Sequence, residues 1–193
     1  FARREDLHPI IQTAVLHAQF EMIHPFLDGN GRMGRLLITL FLASKKILHT
    51  PCLYISAYLQ RHRGAYYASL AKISKNNDWN TWISFFLRAV VEHSKANASL
   101  LMKMTDLYEI SKTQFAEATN SSLAMELLDY LFAQPIFTVP NLINQTKVKA
   151  SKATLLLAVQ KLEKAGLVTK ISEGRGRRPT VWKFGALVDL IQD

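Results

Sequence analysis

His24-Pro25-Phe26-Leu27-Asp28-Gly29-Asn30-Gly31-Arg32-Met33-Gly34-Arg35 decides the reading of this chain. A helical pattern runs into it through Ile10, Ile11, Ala14, Val15, Ala18 and Met22, and another runs out through Leu36, Leu37, Leu40 and Phe41. Between them stand residues that a turn uses and a helix interior avoids. Pro25 biases His24 away from the α region, so the first helix is expected to end at or just before His24. Gly29 and Gly31 let the backbone fold tightly with its N–H groups turned inward, and a helix begins just after, predicted from Met33 to about Lys45. Inward N–H groups and a helix N-terminus at one place make an anion site. Arg32 and Arg35 add cationic forks that suit phosphate oxygens.

The other polar members of the stretch point to a reaction. Asp28 is a hard oxygen ligand, and Mg²⁺ commonly binds one or two carboxylates together with substrate phosphates. His24 can take a proton near neutral pH. Taken singly, each residue has a plain reading as part of a Gly-rich loop or a helix end. Gathered in one turn, a base, a metal carboxylate and a phosphate cradle describe attack by a hydroxyl on a nucleotide phosphate.

The stretch resembles, without a departure, the H-x-F-x-[DE]-G-N-G-R-x-x-R signature of Fic-domain proteins. The resemblance continues through Ala14-Val15-Leu16-His17-Ala18-Gln19-Phe20-Glu21, Leu53-Tyr54-Ile55-Ser56-Ala57-Tyr58 and Tyr66-Tyr67, to about Arg88. It implies an Mg-dependent protein adenylyltransferase that moves AMP from ATP to a Ser, Thr or Tyr hydroxyl of a target protein. On that resemblance His24 is the base, Asp28 holds Mg²⁺, and Gly29, Asn30 and Gly31 form the anion hole. Arg32 and Arg35 bind the outer phosphates, and Phe26 is the buried anchor of the loop. One branch of the family phosphorylates and lacks this glycine pattern; Gly29 and Gly31 favour AMP transfer. Phe1 stands where Met would begin a chain, twenty-three residues ahead of His24. The expectation is an N-terminally incomplete Fic bundle, without the inhibitory helix and target-aligning flap that precede the signature in relatives.

Composition sets the frame. An apolar content of 49% with 20% charged residues is globular rather than disordered. The lone Cys52 excludes an internal disulfide framework and fits a reducing, cytoplasmic compartment. No apolar stretch is long enough to span a bilayer, so no membrane association is expected. Residues 145–183 hold ten of the 24 Lys and Arg residues against Glu163 and Glu173, which places +8 of the net +9 there. A segregated basic region marks a nucleic-acid or acidic-partner surface.

Around the signature, His8 and His17 read as surface or satisfied helix histidines. Ser56 to about Ser74 reads as helix, broken near Gly64. Tyr66 and Tyr67 belong either to an aromatic core stripe or to an adenine pocket; the resemblance implies an adenine wall of Tyr67 and Leu70, and Trp79 reads as a second cover for the base. Ser74 stands where some relatives carry an adenine-contacting Asn. Asn77-Asp78 is a turn and cap signal. Trp79 to about Thr119 reads as one long helix or two, a candidate carrier of a homodimer contact.

Asn120-Ser121-Ser122 marks the expected boundary between a catalytic domain (1–119) and a second domain (120–193). Helices are predicted over Leu123–Phe132, Val139 to about Thr146 capped by Thr138, and Lys152–Ala165 capped by Ser151 and stopped by Gly166. Two β-rich runs follow, Leu167–Ile171 and Thr180–Phe184, around a basic tip. The fold class expected is therefore mainly α: a Fic-type bundle followed by a small domain resembling a winged helix-turn-helix. Lys152, Arg175, Arg177 and Arg178 are its candidate nucleic-acid contacts. DNA is not the favoured partner, because Leu155, Leu156 and Leu157 are consecutive and cannot all face the core. Thr169-Lys170-Ile171-Ser172-Glu173-Gly174 fits the inhibitory string [ST]-x-x-x-E-[GN] formally, yet reads as strand.

Overall fold

A computed structural model describes residues 6–50, 53, 55–145, 150–176 and 178–192. The chain is mainly α-helical and forms two compact units, residues 1–97 and 98–193.

In the first unit, α1 (Pro9–Ile23) packs on α2 (Asn30–Ser44). Then come α3 (Ser56–Arg61), α4 (Arg63–Asn76) and the first half of α5 (Trp79–Thr119). His8 is the N-cap of α1; its ring accepts from the Ile10 N–H at 3.3 Å. The break expected near Gly64 falls instead at His62, which ends α3 and precedes α4. Asp78 caps α5 as expected, accepting from the Thr81 hydroxyl at 2.6 Å and from the Thr81 N–H at 3.0 Å. Those bonds hold its carboxyl below the usual range. The core gathers Ala14, Ala18, Ile38, Leu42, Trp82 and Phe86. Phe86 has no exposed surface, a burial that stabilises by roughly 1.5–3 kcal/mol. Ala14 and Ala18 keep α1 slim enough for Trp82 to reach it, and the indole N–H donates to Ala14 O at 2.8 Å.

In the second unit, the later half of α5 is followed by α6 (Ala124–Ala133), β1 (Ile136–Phe137), α7 (Val139–Gln145) and α8 (Lys152–Lys164). β2 (Thr169–Ser172), β3 (Val181–Lys183) and α9 (Gly185–Gln192) complete it. The strands form an antiparallel sheet in the order β1-β3-β2. Phe137 lies opposite Trp182 across the β1–β3 pair, with the rings stacked 6.1 Å apart. The β2–β3 hairpin and the helix after it are consistent with a wing. Its tip closes through a bridge between Arg175 and Arg178; the expected contact Arg177 lies outside the described residues. Thr169–Ser172 is strand, so the string that begins there does not form a helix.

Ser151 caps α8 through the Thr154 N–H at 3.1 Å, and Gly166, at φ +75°, follows its end. α5 is one unbroken helix of 41 residues. Phe115, in its later half, packs edge-on against Phe184 at 5.6 Å, which ties residues 98–119 to the second core. Compact packing thus divides the chain inside α5. The change of sequence character at Asn120 coincides with the helix end, where Asn120 takes φ +47° and Lys161 Nζ donates to Thr119 O at 2.8 Å.

Candidate active site

The turn between α1 and α2 is held by its backbone. His24 closes α1 in the left-handed region (φ +49°, ψ +57°), with its N–H on Phe20 O at 3.0 Å. Pro25 excludes the right-handed helical alternative, so the chain leaves α1 sharply. Asn30, 2% exposed, then clamps the loop. Its Oδ1 accepts from the Phe26 N–H at 2.9 Å, and its Nδ2 donates to the Phe26 carbonyl at 2.5 Å. The Phe26 ring is 49% exposed. The expectation of a buried Phe26 anchor is therefore corrected: the buried anchor is the Asn30 amide. The start of α2 is corrected too. Gly29, at φ +84°, is its N-cap, and Asn30, Gly31 and Arg32 form its first turn, three residues earlier than the apolar pattern predicts. In that turn the leading N–H groups have no partner within the helix, which gives an anion the donors it needs.

Charges surround this turn. Asp28 is 96% exposed and faces Arg32 at 3.7 Å, an exposed pair that holds loosely and separates readily. Asp28 Oδ1 also accepts from the Gly29 N–H at 2.6 Å. A side chain on Gly31 would meet Arg35 Nη1 at 3.1 Å, so its absence lets the guanidinium lie across the first turn. His24 and Arg35 both act electrostatically on Glu21, which brings imidazole and guanidinium to one neighbourhood.

Beneath the turn lies a buried polar knot. His17, 1% exposed, has Nδ1 3.0 Å from Gly34 O and Nε2 3.1 Å from the Tyr66 hydroxyl. A carbonyl can only accept, so Nδ1 carries the proton and Nε2 accepts from Tyr66. His17 is therefore a satisfied helix histidine, buried rather than on the surface, and it fastens α1 to α2 and α4. Glu21 Oε1 stands 4.0 Å from Nε2 and, among the described residues, has no hydrogen-bond partner; beside a neutral imidazole this is no ion pair. Burial lowers the His17 imidazole from 6.5 to about 4, with Arg35 acting in the same direction. The unfolded chain then takes up a proton that the folded protein refuses. Stability is full above pH 6.5 and falls as the pH drops toward 4, by about 3 kcal/mol. Burial raises the Glu21 carboxyl, so its contribution has the opposite slope and is lost as the pH rises above 4.5. Urea midpoints between pH 4 and 7 should therefore steepen in Glu21→Gln and flatten in His17→Gln. An unchanged slope in His17→Gln would contradict this assignment.

Two clefts open beside the turn, sharing Arg35 and Ser56. One, of about 250 Å³, is lined by Arg32, Leu36 and Thr39 among others. The other, of about 510 Å³, reaches Gln60, Arg63, Tyr66 and Tyr67. Tyr66 is 8% exposed and belongs to the core as well as to the cleft wall, while Tyr67 is 55% exposed. Leu70 and Trp79 pack against the first core and do not line this cleft. Trp79 Nε1 donates to Asn77 Oδ1 at 3.0 Å. Ser74 Oγ lies 3.4 Å from Met22 Sδ. Ser56, Gln60 and Arg63 are cleft residues that the sequence did not single out; an Arg two positions after a helix end has no periodic signature of its own. Lys152, Arg175 and Arg178 are exposed in the second unit.

Among the described residues no group of three or more His, Cys, Asp or Glu side chains could hold a metal by itself. Asp28 offers a single exposed carboxylate, which fits a Mg²⁺ that takes its remaining ligands from phosphate and water. Among the described residues no helix is long and apolar enough to cross a membrane.

Residues 1–42 match the family model described as the Fic/DOC family. The chain is 37% identical over 68 residues to a probable protein adenylyltransferase of Aquifex aeolicus, covering 33% of this chain and 21% of that protein. It is 33% identical over 91 residues to a protein adenylyltransferase of Caenorhabditis elegans, covering 47% of this chain and 16% of that one. The chain thus spans about a fifth or less of the length of these relatives. The crystal structure of a Fic family protein from Desulfovibrio desulfuricans aligns with a TM-score of 0.50 at 22% identity, over 95% of this chain and 51% of that one. The likeness supports a Fic-family fold, and the relatives point to the Fic adenylyltransferases in general.

Proposed function

We propose that this chain carries the catalytic core of an Mg-dependent protein adenylyltransferase. The observation that carries the reading is the α1–α2 turn, where His24 ends one helix and the Gly29–Gly31 turn opens the next beneath Arg32 and Arg35. A target Ser, Thr or Tyr hydroxyl loses its proton to His24, and its oxygen bonds to the α-phosphorus of ATP. The bond from that phosphorus to the bridging oxygen breaks, and pyrophosphate leaves. Gly29, Asn30 and Gly31 present N–H donors to phosphate oxygens, while Arg32 and Arg35 hold the outer phosphates. Asp28 would hold Mg²⁺, which supplies charge neutralisation at the phosphates. Tyr66 and Tyr67 wall the base, with Leu70 and Trp79 as supports behind them.

The test compares the two ends of ATP. Label in the α-phosphate is expected to enter protein, and label in the γ-phosphate is not. Transfer of the γ-label would mean phosphorylation and would overturn the reaction class.

A second reading makes the nucleotide site a sensor and residues 98–193 the working part, a winged helix-turn-helix regulator. Leu157, 55% exposed on α8, favours docking on protein over reading DNA bases, where polar side chains are required. On that view Lys152, Arg175, Arg177 and Arg178 meet acidic protein surface; DNA and a second copy of this chain remain the alternative partners. The cytoplasmic assignment rests on the lone cysteine.

A further inference from the structure

The 510 Å³ cleft contains a cation that none of the roles above uses. Arg63 opens α4, and its guanidinium carbon lies 5.5 Å from the centre of the Tyr67 ring. Among the described residues no carboxylate lies within ion-pair distance of Arg63, and none lines the cleft. Arg63 is itself exposed at the start of the helix. Tyr67 is itself steadied by Tyr66, whose ring is 5.1 Å away at a 60° tilt. The exposed face of a fixed aromatic ring is thus covered by a side chain that is free to lift.

We propose that Arg63 is a base-contacting residue of this cleft, lying on Tyr67 in the free protein and closing over the far face of a purine stacked on Tyr67. The inference rests on the nucleotide reading of the site and adds to it the second wall of the base. A base stacks on an aromatic ring more strongly than an exposed guanidinium does, so the nucleotide can take the place of Arg63 on the ring. The planar guanidinium then stacks on the base in turn, which a lysine ammonium cannot do. The phosphate side already has Arg32 and Arg35 from α2, whereas Arg63 stands on the Tyr67 side.

The test is calorimetric titration of the whole chain, with magnesium, by ATP and by inorganic tripolyphosphate. Arg63→Ala is expected to weaken ATP by about 5–10-fold and to leave tripolyphosphate unchanged. Arg63→Lys should recover little of the loss, and Arg63→Ala in a Tyr67→Leu background should cost much less than it does alone. Equal weakening of ATP and tripolyphosphate would make Arg63 a phosphate contact and overturn the proposal. Unchanged ATP affinity in Arg63→Ala would overturn it as well. Failure of the nucleotide reading itself looks different: the parent chain then binds ATP no more tightly than tripolyphosphate, and the role of Arg63 falls with it.

Discussion

Replacing His24 by alanine is expected to lower AMP transfer by about 10²–10⁴-fold, the usual contribution of a general base, with ATP affinity unchanged. The side chain is exposed at the mouth of the turn, so its loss leaves no cavity. The backbone needs more care. At φ +49° alanine is less at ease than histidine, and the turn could shift for that reason alone. His24→Asn answers the objection, because asparagine tolerates the left-handed region and cannot accept a proton near neutral pH. Both variants should bind ATP like the parent and both should lose transfer. A variant that labels protein at the parental rate would remove His24 from the mechanism. A variant that loses ATP binding in step with transfer would make His24 a structural residue of the turn.

The second large effect is expected at Gly34. Within a helix, glycine to alanine normally stabilises by about 0.5–1 kcal/mol. Here the sign should reverse. The new methyl group would collide with Glu21 Oε1 and stand 3.1 Å from His17 Cε1, both on the facing helix. Overpacking of this kind costs about 1–3 kcal/mol. Displacing His17 also loosens its bonds to Gly34 O and Tyr66, and each buried polar group left unsatisfied costs roughly 1–3 kcal/mol more. Glu21 can swing its carboxylate aside while His17 has less room to give, so a net loss of about 1–2 kcal/mol should appear in denaturant titrations followed by tryptophan fluorescence. Two of the three tryptophans, Trp79 and Trp82, lie in the first unit and report on it. Adding Glu21→Ala should recover part of the loss by removing the nearest obstacle. A Gly34→Ala protein as stable as the parent would show that Glu21 and His17 make room at no cost, and the tight approach at Gly34 would lose its structural importance.

What the sequence made legible is what local chemistry dictates. Pro25 biases the backbone at His24 out of the helix, and Ser151 and Gly166 bracket α8 through a hydroxyl and a left-handed backbone. The signature residues fall together because they are neighbours in the chain. The rest depends on partners distant in sequence. Ile136 and Phe137 are too few to read as a strand and become one by pairing with β3. α9 follows the β2–β3 hairpin on only eight residues, with a single fully buried side chain, Leu187. Asn30 reads equally well as an anion-hole donor, and its grip on Phe26 emerges only when the loop closes. His17 carries no sign of burial until Gly34 and Tyr66 meet it from α2 and α4. Arg63 is one arginine among many until Tyr67 is seen beneath it.

The Asn30 clamp separates two kinds of information within five residues. Because the amide grips Phe26 by its main chain, the path of the loop is held at the backbone as well as through the ring. The ring lies 6.3 Å from that of Phe20 and is half in solvent, where it can meet whatever approaches. Shape is thus written in the amide of one residue and acquaintance in the ring of another, so that loss of the ring would change what the loop meets before it changed where the loop runs.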